Sequence, residues 1–180
     1  MNKKVVMVIA FEGFRDEEYL VPKQILEQNN VQVITVSTKI GNARGKFGQI
    51  AFVDKTLEEI NPKDYDAIIF VGGPGTPTIR SHPLSEKLAI KFYDLNKIVA
   101  AICWAPTILA QAGLLRGRKA TCWIGYDPEF KMSTNIYLES KGAEFVDQPV
   151  VVDEKIVTAN GPQSAHEFGN AILKLINAKN

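Results

Sequence analysis

The sequence predicts an α/β protein with a mostly parallel sheet, because apolar runs of strand length alternate with segments of helical period along most of the chain. Most of those runs are apolar at consecutive positions rather than at every second one, the pattern of strands buried on both faces. The 180 residues suit a single domain over 1–180, and with 46% apolar and 23% charged residues they can build a real core.

The first strand is read at Val5–Ala10. Met1-Asn2-Lys3-Lys4 and the apolar run behind them resemble a leader peptide, but Glu12, Arg15, Asp16, Glu17 and Glu18 stand where a small-residue cleavage site belongs. A helix at Glu17–Gln28 and a strand at Val31–Ser37 follow. Gly41, Gly45 and Gly48 then break the alternation among short polar and β-prone residues, so Gly41–Asp54 reads as a hairpin excursion. The alternation resumes with a strand at Ala67–Val71, a helix at Leu84–Leu95, a strand at Ile98–Ile102 and a helix at Ala105–Ala112. Beyond these come a strand at Ala120–Trp123, a helix at Pro128–Ser140, a second excursion over Glu144–Asp153, a strand at Ile156–Ala159 and a helix at Gln163–Ile176. The last helix is the clearest, since Ala165, Phe168, Ala171, Ile172, Leu175 and Ile176 recur on one face.

Composition narrows the function. Twenty-one Lys and Arg against twenty Asp and Glu give a net charge of +1, which announces neither a nucleic-acid groove nor a membrane surface. The longest apolar runs, Val5–Phe11 and Ala67–Val71, fall far short of the roughly 20 residues that span a bilayer. Two cysteines without a Cys-x-x-Cys pattern make neither a disulfide framework nor a zinc site, and the carboxylates show no metal-ligand spacing. The expectation is a cytoplasmic protein with free thiols and no metal.

In an open parallel sheet, ligands bind beyond the carboxyl ends of the strands, so the residues following four of the strands are the place to look. These are Phe11–Glu18, Gly72–Thr76, Cys103–Pro106 and Asn160–His166. Cys103 lies just past a buried strand, with Pro106 in the first turn of the next helix, which describes a strand-to-helix elbow. Backbone N–H groups and the helix dipole there favour thiolate over thiol. A small buried apolar residue is the other reading of Cys103, and spacing alone leaves both open. Gly72-Gly73-Pro74-Gly75-Thr76 lacks the ending of a P-loop and the spacing of a dinucleotide fingerprint. It suits an oxyanion hole in which the N–H groups of Gly73 and Trp104 face a carbonyl oxygen attacked by Cys103, although a tight turn needs glycine too. Asp16, Glu17 and Glu18 form a favourable charge set for a helix start; one of them turned inward beside Cys103 would become a protonated donor or general acid/base, and nothing local selects which. His82 reads as a surface helix entry, His166 as an exposed first-turn residue within reach of the active edge, and Cys122 as a core residue.

Together the four segments resemble the ThiJ/PfpI superfamily, which includes PfpI-like intracellular proteases, the parkinsonism-associated deglycase and bacterial relatives with glyoxalase or chaperone activity. The residues that carry the likeness are Glu18-Tyr19-Leu20-Val21-Pro22, Gly72-Gly73-Pro74-Gly75-Thr76, Ala101-Ile102-Cys103-Trp104-Ala105-Pro106, and Thr158-Ala159-Asn160-Gly161-Pro162 with Glu167-Phe168. The resemblance implies a flavodoxin-like three-layer sandwich, like that of class I glutamine amidotransferases, with the cysteine on a strained elbow. It selects Glu18 as the carboxyl partner of Cys103. It also implies a homodimer or a higher homo-oligomer and no metal or organic cofactor. In the protease branch a His follows the cysteine and, with an acidic residue of a neighbouring subunit, completes a triad; here that position is Trp104, whose indole N–H cannot shuttle a proton at neutral pH. The deglycase branch has its His at a position near Trp123.

Three functions compete. The first is a cysteine-dependent enzyme of the glyoxalase or deglycase type acting on small reactive carbonyls, with Cys103 adding to the aldehyde, Gly73 and Trp104 holding the oxyanion and Glu18 relaying the proton. The second is a peptidase or amidase acting on a peptide, with His166 as an auxiliary base. The third is a redox sensor or chaperone read through oxidation of Cys103.

Overall fold

The computed structural model describes residues 3–178. The chain runs β1 (Lys4–Val8), β2 (Glu12–Phe14), α1 (Asp16–Gln28), β3 (Gln32–Ser37), β4 (Gly41–Gly45), β5 (Ile50–Val53), β6 (Lys55–Thr56) and β7 (Ala67–Phe70). It continues with α2 (Thr76–Arg80), α3 (Pro83–Asp94), β8 (Ile98–Ile102), α4 (Pro106–Gln111), β9 (Lys119–Ala120), β10 (Tyr126–Asp127), β11 (Met132–Ser133) and α5 (Thr134–Ser140). It closes with β12 (Glu144–Phe145), β13 (Val150–Asp153), β14 (Ile156–Ala159) and α6 (Ala165–Asn177).

The central sheet is ordered β13-β14-β8-β7-β1-β3-β6, and every neighbouring pair is parallel except β13 with β14. Its strands alternate their side chains between two apolar layers, as the two-residue period requires. Val6 and Val8 of β1 and Val99 and Ala101 of β8 join Leu88, Phe92, Ile108 and Leu138 on one side. Val5 and Met7, with Ile98, Ala100 and Ile102, join Tyr19, Leu26, Phe168, Ile172 and Ile176 on the other. Helices α3, α4 and α5 therefore cover one face, and α1 and α6 the other. The result is the flavodoxin-like α/β sandwich, with its five long parallel strands in the order β3-β1-β7-β8-β14. The strand order reverses at β1, and the crevice beyond the carboxyl ends of β1, β7 and β8 is where such a sheet takes a ligand.

Most elements lie where the sequence places them. The Gly41–Asp54 excursion is an antiparallel hairpin of β4 and β5, joined by β2. Three readings need correction. The strand read at Ala120–Trp123 is confined to Lys119–Ala120, which pairs with β12 away from the central sheet. Beyond it the backbone bonds turn to other partners: Thr121 N–H donates to Thr158 Oγ1 at 2.9 Å and Trp123 N–H to the Cys103 carbonyl at 2.8 Å. The helix read at Pro128–Ser140 begins only at Thr134. Asp127 Oδ1 accepts the N–H groups of Glu129 (2.9 Å) and Phe130 (3.3 Å), and Lys131 takes φ 54°, which together make a β10–β11 turn instead. The Glu144–Asp153 excursion is divided, β12 pairing with β9 and β13 extending the central sheet as its antiparallel edge. The final helix opens with a 3-10 turn at Pro162–Ser164 before α6.

Helices α1 and α6 meet at Gly169, where an added Cβ would lie 2.9 Å from Ile25 Cδ1 and 3.0 Å from Pro22 Cα. Gly169→Val is expected to force the two helices apart and lower stability by about 1–3 kcal/mol. The readout is a lower urea midpoint at unchanged slope; an unshifted midpoint would show that this contact does not hold the helices together.

Candidate active site

Four chain segments converge beyond the strand ends. Cys103, immediately after β8, takes φ 65°, a left-handed conformation that costs a non-glycine residue on the order of 1–3 kcal/mol. The surrounding bonds hold it there: its N–H donates to the Ala159 carbonyl at 2.8 Å, and its own carbonyl accepts the Trp123 N–H. The strain aims the side chain off the strand and over the start of α4.

The first turn of α1 sorts the three neighbouring carboxylates. Asp16 turns towards the β4–β5 hairpin and accepts the N–H groups of Phe47 (2.9 Å) and Gln49 (2.8 Å). Glu17 pairs with Arg15 at 2.7 Å near the surface. Glu18 is fully buried, its Oε2 accepting the Gly72 N–H at 3.0 Å. Its Oε1 is buried without a hydrogen-bond partner, and the carboxyl interacts with the neighbouring Cys103 thiol. Gly72 permits this approach, because a Cβ there would stand 2.6 Å from Glu18 Oε2 and 2.7 Å from Cys103 Cβ. Gly73, at φ 114°, is equally constrained: a Cβ would come within 2.5 Å of Arg15 N and the Gly13 carbonyl.

The electrostatics follow from burial. Desolvation pushes the Glu18 carboxyl up to about 7, against the opposing pull of its hydrogen bonds from Cys103 and Gly72 and of the nearby Arg15 charge. Desolvation also pushes the Cys103 thiol well above its ordinary range, the Glu18 charge adding to the rise while the Trp104 and Gly73 N–H groups oppose it. Taken together, the pair gives up one proton near neutrality and holds the other far more tightly. Two N–H groups face the sulfur and one faces the carboxyl, so a thiolate formed by passing the Cys103 proton to Glu18 has hydrogen-bond donors in place to hold its charge.

A cavity of ≈ 330 Å³ opens above the sulfur, lined by Gly73, Pro74, Cys103, Trp104, Trp123, Pro162 and Gln163, with Arg15 and Lys46 at its rim. Trp104 and Trp123 form one wall, their ring centroids 5.7 Å apart. Trp104 Nε1 donates to Asp127 Oδ2 at 2.8 Å, and Asp127 is in turn bridged at 2.6 Å by Arg80. Both charges are out of solvent, Arg80 at 1% and Asp127 at 0% exposure. Burial would raise the Asp127 carboxyl, but the bonds from Arg80 and Trp104 outweigh it and hold the group below its usual value. Sequence reasoning missed Arg80 and Asp127, which are 47 positions apart and lie in no motif.

The structure brings Cys103, Glu18 and the N–H groups of Gly73 and Trp104 together. His166 is not at the cavity; it is exposed on α6, its Nδ1 3.1 Å from Asn170 Nδ2. Cys122 is buried with its thiol pushed up to about 12 by desolvation. Among the described residues no three His, Cys, Asp or Glu side chains are grouped to hold a metal ion, and no helix is long and apolar enough to cross a membrane.

This fold and this geometry place the protein in the class of α/β proteins built around a cysteine elbow. More narrowly, the chain belongs to the DJ-1/PfpI family, whose family model matches residues 3–175. Protein/nucleic acid deglycase 2 of Escherichia coli is 32% identical over 181 residues, covering 99% of this chain and 100% of its own. Deglycase PfpI of Pyrococcus furiosus is 30% identical over 171 residues, covering 95% and 98%. The crystal structure of a ThiJ/PfpI domain protein from Brachyspira murdochii superposes with a TM-score of 0.89 at 33% identity, covering 97% of this chain and 96% of that one.

A carboxyl moved from 4.5 to about 7 by burial binds its proton more tightly folded than unfolded, so its protonated form contributes nothing adverse at low pH and its ionisation penalises folding as pH rises from about 4.5 to about 7. Glu18→Gln removes that penalty. The variant is expected to gain on wild type across this window, reaching about 3 kcal/mol above pH 7, in urea titrations at pH 4.5, 6 and 7.5. A difference that does not change with pH would show that Glu18 titrates as an ordinary carboxyl.

Proposed function

We propose that this protein is a cysteine-dependent enzyme of the glyoxalase or deglycase type, converting small reactive 2-oxoaldehydes to 2-hydroxy acids. The observation that carries the reading is the buried Glu18 carboxyl set beside Cys103, one oxygen held by the Gly72 N–H and the other left without a partner. Relatives named deglycases support it.

The Cys103 thiolate adds to the aldehyde carbon, and Glu18 passes its proton to the developing alkoxide, which the Gly73 and Trp104 N–H groups stabilise. The Glu18 carboxylate then removes the proton from that carbon and returns it to the adjacent ketone carbon. As the hydroxyl proton on the former aldehyde carbon passes to the ketone oxygen, that carbon is oxidised to a thioester and the ketone reduced to an alcohol, so no external oxidant enters. Water cleaves the thioester, freeing the thiolate and a 2-hydroxy acid. An aldehyde already added to an amine follows the same course once the amine leaves.

Amide hydrolysis is less well served. It needs an acid to protonate the leaving amine, whereas the Trp104 indole N–H is held by Asp127 and cannot exchange its proton at neutral pH. His166 lies away from the sulfur.

Wild type is expected to form lactate from methylglyoxal without glutathione. Cys103→Ala should fall to background, and Glu18→Gln should lose about 10²-fold or more in kcat. Absence of lactate from wild type, or full activity in Cys103→Ala, would overturn the reading.

A further inference from the structure

The cavity is larger and more aromatic than a small aldehyde needs. At ≈ 330 Å³ it reaches the range of about 300–1,000 Å³ in which proteins hold drug-sized ligands, and methylglyoxal occupies a fraction of it. Beyond the sulfur and its two N–H donors, its walls include flat ring surfaces: the indoles of Trp104 and Trp123 and the rings of Pro74 and Pro162.

The two indoles are placed in different ways. Trp104 is fixed by its bond to the buried Asp127. The Trp123 backbone is bonded at both ends, its N–H on the Cys103 carbonyl and its carbonyl accepting the Thr134 hydroxyl, and its ring packs against Trp104. Its ring lies across Gly125, where a Cβ would stand only 1.9 Å from Trp123 Cη2. Gly125 has no positive φ, so the need for glycine there is the room the indole takes. The cationic rim is engaged otherwise: the Arg15 guanidinium lies 4.7 Å and Lys46 Nζ 5.3 Å from the Phe47 ring centroid, and Arg15 also pairs with Glu17.

We propose that Trp104 and Trp123, with Gly125 making room for the second indole, form a subsite for an aromatic ring, so that the preferred substrate is an aryl-substituted 2-oxoaldehyde rather than an alkyl one. The proposal rests on the aldehyde reading above and names the substrate class of the same site. Offset or edge contact with two indoles adds to simple burial of the ring. Asp127 is a positioning residue that acts through Trp104.

The test compares phenylglyoxal with methylglyoxal by kcat/KM, and mandelate with lactate by calorimetric affinity, in wild type, Trp123→Leu and Gly125→Ala. Mandelate and lactate carry the same hydroxy acid group and differ in the ring, so their comparison needs no turnover. Wild type is expected to favour the aryl member of each pair by about tenfold. Trp123→Leu removes the ring while keeping apolar bulk, and Gly125→Ala displaces it; each is expected to bring both ratios close to one. Equal treatment of the two members by wild type, or ratios unmoved in Trp123→Leu, would overturn the proposal. A wild type that turns over neither aldehyde yet keeps its mandelate preference, lost in Trp123→Leu, would sustain the subsite and overturn the aldehyde reading alone.

Discussion

One proton held between a buried carboxyl and a half-buried thiol governs this end of the molecule. Glu18 is fully buried and Cys103 half-buried beside it, so the two cannot both be charged without a large penalty. Several local choices of the chain exist to bring them together at this spacing. Gly72 has no side chain because the space belongs to the carboxyl and the sulfur. Gly73 has none because the loop before α1 closes over it, with the Arg15 N–H donating to the Gly72 carbonyl at 2.9 Å. Cys103 accepts an unfavourable φ because β14 on one side and the Trp123 loop on the other leave its backbone no alternative partner.

Beneath the site a second buried polar group works differently. Arg80 pairs with buried Asp127 and, at its outer side, with Glu129, and Asp127 has enough acceptor capacity left to hold Trp104 and to shape the β10–β11 turn. Such a pair adds little net stability over apolar packing, since desolvation of both charges offsets their attraction. Its contribution is direction. It fixes the plane of an aromatic side chain that would otherwise choose among rotamers, at a position immediately after the cysteine.

The parallel strands were legible because burial on both faces writes an unbroken apolar run, as in Ala67–Phe70 and Ile98–Ile102. The elbow was legible because Cys103 follows such a run and Pro106 marks the helix start. Glu18 was not separable by spacing from Asp16 and Glu17; resemblance to a family pointed to it, and the geometry distinguishes the three by sending each to a different partner. The Ala120–Trp123 segment misled because its residues are apolar enough for a strand, while its N–H groups are spent on Thr158 and Cys103. Arg80 could not be read at all: an arginine at the end of a short helix is ordinarily solvated, and only the fold shows that its partner waits 47 residues away.

The chain contains two tryptophans, and they are the pair that walls this cavity. Indole emission, excited beyond the absorption of the five tyrosines, is therefore emission from the site, with no background from indoles elsewhere. One indole is hydrogen-bonded to a buried carboxylate and the other is 39% exposed, so the two report on different surroundings. The molecule thus carries its own optical probe at the place where its chemistry is expected, and occupancy, oxidation or alkylation of the neighbouring sulfur can be followed without a label.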